Sequence, residues 1–179
     1  MPDESDPQER RLAAILCADV VGYSRMMAAD EAATVGTLRE CRELIAGEVG
    51  GHRGRIFGTA GDGVIAEFPS AVEAVRCAVE IQHGLAERSA KAQQPMQLRI
   101  GINLGDVVIE GDDLLGDGVN VAARLESLAE PGGICVSGSV HEQVRARLRL
   151  DYKDLGEQRV KNIPRPVRAY RVNVGGRRA

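Results

Sequence analysis

Tryptophan is absent from this 179-residue chain, which has only two phenylalanines and three tyrosines. Alanine, valine, leucine and isoleucine must therefore build the core. Cysteine and histidine are also scarce. The four cysteines, Cys17, Cys41, Cys77 and Cys135, sit far apart in apolar runs, with no Cys-x-x-Cys pair. The three histidines share no ligand-type spacing. That pattern argues against a zinc module or a disulfide scaffold and for buried, reduced thiols in the cytoplasm. No apolar run approaches the roughly 20 residues that span a bilayer. The polar start, MPDESDPQERR, is neither a signal peptide nor an anchor. A net charge of −3 argues against nucleic acid as the main partner. There is no internal repeat. What remains is 44% hydrophobic and 27% charged residues, the profile of one soluble domain with a sizeable core.

Residues 1–10 read as a flexible leader, 11–174 as the folded domain and 175–179 as a flexible tail. The run 12–21 lacks strict alternation, as a strand buried on both faces does. Apolar spacing predicts helices over 30–48 and 70–87. Between them, 55–57 and 64–68 read as a hairpin. Residues 97–111 read as two strand runs broken at Leu104-Gly105. A short helix over 118–130, a strand over 134–136 and a helix capped by Ser137 come next, then short strand signals. This order predicts an α+β fold: a ferredoxin-like βαββαβ core sheet, helices on one face, and an extra C-terminal strand/helix extension.

In such a sheet the first strand neighbours the hairpin. Asp19 ends that strand, and Asp62 sits between two glycines in the hairpin turn, so both can reach one rim. Paired carboxylates repel unless a cation lies between them. Mg²⁺ suits that role, because it takes one or two carboxylates together with substrate phosphates. The flanking glycines let a phosphate chain approach the backbone. Taken singly, Asp62 also reads as a plain turn residue and Asp19 as a helix-entry cap.

Four stretches carry a resemblance: 18–27 (ADVVGYSRMM), 59–68 (TAGDGVIAEF), 98–108 (LRIGINLGDVV) and 113–126 (DLLGDGVNVAARLE). In this order and spacing they resemble the catalytic domain of the class III nucleotidyl cyclases, the adenylyl and guanylyl cyclases. The resemblance covers nearly the whole chain.

It implies that Asp19, Asp62 and the Val20 carbonyl hold two Mg²⁺ or Mn²⁺ ions, and that Gly22, Tyr23 and Ser24 meet the β- and γ-phosphates through backbone N–H groups. Asn120 would orient the ribose and Arg124 would steady charge at the α-phosphate; four apart, they share a helical face. Asp113 would accept a hydrogen bond from the adenine amino group, and Arg99 and Lys161 would bind phosphate. Local sequence alone also allows plainer roles: a Gly-containing turn at 21–24, Arg124 as a surface partner of Glu126 or Glu130, a solvated loop at Asp112-Asp113, and ordinary surface charges at Arg99 and Lys161. One position departs from the family. Gly58 stands where a purine-reading Lys is usual.

The implied activity is that of an adenylyl cyclase, a phosphorus–oxygen lyase making 3′,5′-cyclic AMP and pyrophosphate from ATP at a homodimer interface. The alternatives are a low-turnover cyclase-homology module that binds nucleotide or dimerises for regulation, and a guanylyl cyclase. Such domains are often one piece of a longer protein.

Overall fold

The apolar run at Leu12 is the heart of the sheet. In the computed structural model, which describes residues 9–57, 62–92 and 94–174, it forms β1 (Glu9–Val20). Residues Ala13 to Ala18 and Val20 are buried, as expected of a strand covered on both faces. The strand starts earlier than its apolar residues do. Glu9 and Arg10 pair with Ile109 and Val108, so they belong to the sheet and not to a leader. A paired neighbour extends a strand through backbone hydrogen bonds, which polar side chains do not disturb. Residues 1–8 and the tail 175–179 lie outside the described residues.

Two helices follow where one was expected. The short α1 (Tyr23–Ala29) has no fully buried residue, so it leaves little periodic signal. Asp30 then breaks the chain with an extended backbone and caps α2 (Glu31–Gly51), its carboxylate accepting from the Ala33 N–H at 3.0 Å. The inward stripe of α2 is Thr34, Leu38, Cys41, Ile45 and Val49. Strands β2 (Arg55–Phe57) and β3 (Val64–Phe68) form the hairpin, and Ser70 caps α3 (Ala71–Ser89) by accepting from the Glu73 N–H.

β4 (Leu98–Glu110) runs unbroken through Leu104-Gly105, against expectation. A Cβ at Gly105 would lie 3.3 Å from the Gly118 Cα, so this glycine makes room for a neighbouring helix instead of ending the strand. Then come β5 (Asp113–Leu115), α4 (Asp117–Leu128), β6 (Ile134–Ser137), α5 (Gly138–Val144), β7 (Asp151–Gln158) and β8 (Val167–Asn173). The eight-stranded sheet has the path β2-β3-β1-β4-β6-β8-β7, with β5 beside β4. Its first four strands are the ferredoxin-like core, antiparallel throughout. β6 joins β4 in parallel, with α4 as the crossover.

The helices occupy two faces, a correction to the expected single layer. Ala14, Leu16, Ala18 and Val20 face the core shared with α2, α3 and α5. The alternate residues Ala13, Ile15 and Cys17 pack with Ala122 of α4 on the other side. Asp19, next in that alternation, emerges on the α4 face. All four cysteines are free and buried, and burial pushes the Cys17 and Cys77 thiols up to about 12. Among the described residues no helix is long and apolar enough to cross a membrane.

Contact between α4 and β4 depends on Gly101. A Cβ there would sit 2.2 Å from the Glu126 backbone N and 2.3 Å from the Ala122 carbonyl O. Gly101→Ala is expected to push α4 off the sheet and cost about 1–3 kcal/mol, as overpacking does. A lowered urea midpoint at constant m-value checks this; an unchanged midpoint would refute the close contact.

Candidate active site

Register brings the two aspartates together. Ala18 of β1 pairs with Val64 of β3, so the residues after Ala18 run alongside those before Val64. The Val20 N–H donates to Asp62 Oδ2 at 3.2 Å. Asp19 is half-buried beside it. Burial first, and then the adjoining Asp62 carboxyl, raise the Asp19 pKa to about 6, with the Val20 N–H and Arg99 pulling the other way. The turn residues between β2 and Asp62, Gly58 among them, lie outside the described residues.

The other edge of β1 supplies a cation. Arg99 of β4 is the register partner of Asp19. Its Nε donates to the Ala129 carbonyl O, at the end of α4, at 3.1 Å. The guanidinium is thus anchored to the chain's own helix, an engagement the expected phosphate contact did not foresee. Facing it is Glu126, half-buried, whose pKa burial raises to about 7, with Asp19 adding to the rise and Arg99 opposing it.

Glu126 is the residue that sequence reasoning missed, having weighed it only as a partner for Arg124. Two residues apart on a helix, the two cannot share a face. The available signal was its spacing: Glu126 lies four after Ala122 and three before Ala129, both buried.

Gly22 adopts a left-handed backbone (φ 67°) at the entry to α1. As first-turn residues, Tyr23 and Ser24 have N–H groups without an intrahelical acceptor. The Val21 N–H, just before them, is already used, donating to the Gln97 carbonyl at 2.9 Å.

The remaining predicted residues do not join this cluster within one chain. Asn120 and Arg124 lie on the exposed face of α4, and the Ser127 hydroxyl donates back to the Arg124 carbonyl at 2.6 Å. Arg99, not Arg124, is the cation acting on Asp19. Asp113 is exposed on β5, and Lys161 is exposed just beyond β7, a strand four places from β1 in the sheet, roughly 19 Å at the usual strand spacing.

The donor set fits a hard divalent ion. It offers two carboxylates whose mutual repulsion a cation would relieve. Among the described residues no group of three or more His, Cys, Asp or Glu could hold a metal. An ion here must therefore complete its shell with other oxygens, as Mg²⁺ does with phosphates and water.

A family model described as the adenylate and guanylate cyclase catalytic domain matches residues 6–173. The chain is 51% identical over 161 residues to the Rhizobium meliloti protein named "Putative adenylate cyclase 3", an alignment covering 88% of this chain and 27% of that protein. It spans 27% to 36% of the length of the first curated relatives it matches. Among solved structures it is similar to the adenylate/guanylate cyclase/hydrolase from Silicibacter pomeroyi, with TM-score 0.86, 47% identity, and 92% and 97% of the two chains covered. It is also similar to the adenylyl cyclase CyaB from P. aeruginosa, with TM-score 0.81, 25% identity, and 96% and 97% covered.

Burial raises both Asp19 and Glu126, so each keeps its proton to a higher pH in the folded chain than in the unfolded one. Metal-free stability is therefore expected to fall as pH rises from about 4 to about 7, with the loss complete above that window. Mn²⁺ should raise the melting temperature more at pH 7.5 than at pH 5. Asp19→Asn should weaken the pH dependence, leaving the part that Glu126 burial supplies, and abolish the Mn²⁺ shift. An equal Mn²⁺ shift in that variant would remove the cation from this site.

Proposed function

We propose that this chain, which belongs to the family of adenylate and guanylate cyclase catalytic domains, converts ATP to 3′,5′-cyclic AMP and pyrophosphate as a homodimer in the cytoplasm. The observation that carries the reading is the meeting of Asp19 and Asp62 at one strand end, with the Tyr23 and Ser24 N–H groups close by in the chain. The ribose 3′-oxygen attacks the α-phosphorus, one P–O bond forms, the bond to the β-phosphate oxygen breaks, and the hydroxyl proton passes to water. Mg²⁺ or Mn²⁺ bound by Asp19, Asp62 and the Val20 carbonyl would acidify the hydroxyl and offset the triphosphate charge.

The chain's own groups do the rest. The Tyr23 and Ser24 N–H groups, opened by Gly22, bind the terminal phosphates. Asn120 holds the ribose, and Arg124 steadies the charge that gathers as pyrophosphate leaves. Arg99 and Lys161 meet phosphate oxygens, and Asp113 accepts from the adenine amino group. A homodimer is supported by the exposed position of Asn120, Arg124, Asp113 and Lys161, outside the Asp19–Asp62 cluster. In a twofold dimer each subunit's outward set would complete its partner's inward set.

Purified protein with Mn²⁺ and ATP should yield cyclic AMP. Asp62→Ala should abolish product, and Arg124→Ala should lower kcat by about 10²–10³-fold, the scale of one lost transition-state donor. Mixing the two inactive variants should restore about a quarter of wild-type activity, since half the dimers are mixed and each has one intact site. No recovery on mixing would exclude the shared-site dimer.

Gly58 favours a second reading, a nucleotide-binding module with little turnover. That reading wins if wild type and Asp62→Ala make equally little product while ATP still raises the wild-type melting temperature. Gly58→Lys is expected to raise the ratio of ATP to GTP turnover; an unchanged ratio would show that position 58 does not read the base.

A further inference from the structure

Of the stretch 98–108, only Arg99 has a part in the reaction as proposed. Asn103 lies four residues further along the same strand, hence on the same face. Gly101, Asn103 and Gly105 alternate there and form the seat of α4. Gly101 lies under Ala122 and Glu126, and Gly105 lies under Gly118. The two glycines admit the helix but hold it only by excluded volume, which has no direction. Asn103 is different. It is buried, and its Nδ2 donates to the Gly118 carbonyl O at 3.1 Å, in the first turn of α4. A carbonyl oxygen has two lone pairs, so this bond adds to the helix's own. Helices α2, α3 and α5 are each capped by a side chain, Asp30, Ser70 and Ser137, whereas α4 starts at Gly116 without one. A cavity of about 420 Å³ also opens beside that first turn, lined by Asn103, Asp106, Gly116, Gly118 and Val121 among others. Packing therefore leaves this end of the helix room to move, and the Asn103 bond restrains it.

We propose that Asn103 is a positioning residue whose hydrogen bond to the Gly118 carbonyl sets the register and rotation of α4 on β4, and so the pose in which Asn120 and Arg124 meet the nucleotide held by the other subunit. Asn120 and Arg124 stand two and six residues beyond Gly118, exposed on the same helix. Side-chain tips lie about 5–6 Å from a helix axis, so a rotation of about 10° moves them about 1 Å. A misplacement of that size costs about 100-fold in rate. Asn103 touches the helix and not the reacting atoms, so it acts through Asn120 and Arg124. This rests on the homodimeric cyclase reading above.

The test uses a dimer with one working site, made by co-expressing two tagged chains. One subunit carries Asp62→Ala and supplies Asn120 and Arg124; the other carries Arg124→Ala and supplies Asp19 and Asp62. Asn103→Ala is then added to one subunit at a time. It removes the donor and orphans nothing, since the Gly118 carbonyl keeps its helical bond. In the subunit that supplies Asn120 and Arg124 it should lower kcat about 10–100-fold, with the KM for ATP within about twofold of the parent, the mark of an interaction made in the transition state. In the other subunit, whose Arg124 is already gone, it should leave kcat within about twofold, which also shows that the variant folds and dimerises. Equal losses in the two placements, or no loss in either, would overturn the positioning role.

Amide hydrogen exchange on the full chain needs no turnover. Asn103→Ala should speed exchange in the first half of α4 about tenfold or more, with β1 and α3 unchanged, because the helix end opens locally. Unchanged exchange in α4 would overturn the anchoring even if the parent made no cyclic AMP. Faster exchange in α4, in a parent dimer that makes no product, would support the anchoring and count against the cyclase reading alone.

Discussion

β1 is hydrogen-bonded on both edges, to β3 over Ala14–Ala18 and to β4 along its whole length, and the chemistry gathers where that double pairing ends. Antiparallel pairing with β3 brings the start of β3, and hence Asp62, to the end of β1. Antiparallel pairing with β4 brings Arg99 there as well. Side-chain alternation then selects the face: Ala14, Leu16, Ala18 and Val20 enter the larger core, and Asp19 emerges opposite, on the face of α4. A one-residue slip of either pairing would send one partner to the wrong side of the sheet.

The result is a cluster with more negative charge than its surroundings favour. Asp19 and Glu126 are both raised well above ordinary carboxylates, chiefly because burial disfavours their charged forms. Arg99 offsets only part of this. Such a site is poised to gain free energy from a divalent cation, and the fold holds it in place by the large core on the other face of the sheet. Stability and proposed function pull against each other here, a common arrangement at sites built for charge. Gly101 and Gly105 matter for the same reason. They are open places on β4 that let a helix bring its carboxylate close to the strands.

The class of fold was legible because its signals are local and strong: a doubly buried strand, two long amphipathic helices, and a hairpin between them. The Asp19–Asp62 pair was legible because a charge between glycines beside an apolar strand is costly without a purpose. Three kinds of feature were not. The short α1 buries no residue fully, so periodicity is silent there. The start of β1 at Glu9 and the continuity of β4 through Gly105 reflect pairing with another strand, which no single segment records. Arg99 and Glu126 could be read as surface charges, since their burial arises only when α4 lies on β4; the spacing of Glu126 from Ala122 and Ala129 was the one available hint.

By itself, then, the sequence settled which segments are strands and helices of the core and which residue types stand at their ends, because backbone preference and apolar spacing act over a few residues. Tertiary structure alone decided that helices cover both faces of the sheet, that the Val21 N–H is spent on Gln97, and that Arg99 and Glu126 flank Asp19 while Asn120 and Arg124 point away. Those outcomes depend on strand register and on how closely one helix approaches one strand. Both are set by contacts between residues distant in the chain, where hydrogen-bond geometry and excluded volume choose among arrangements that local sequence leaves equal.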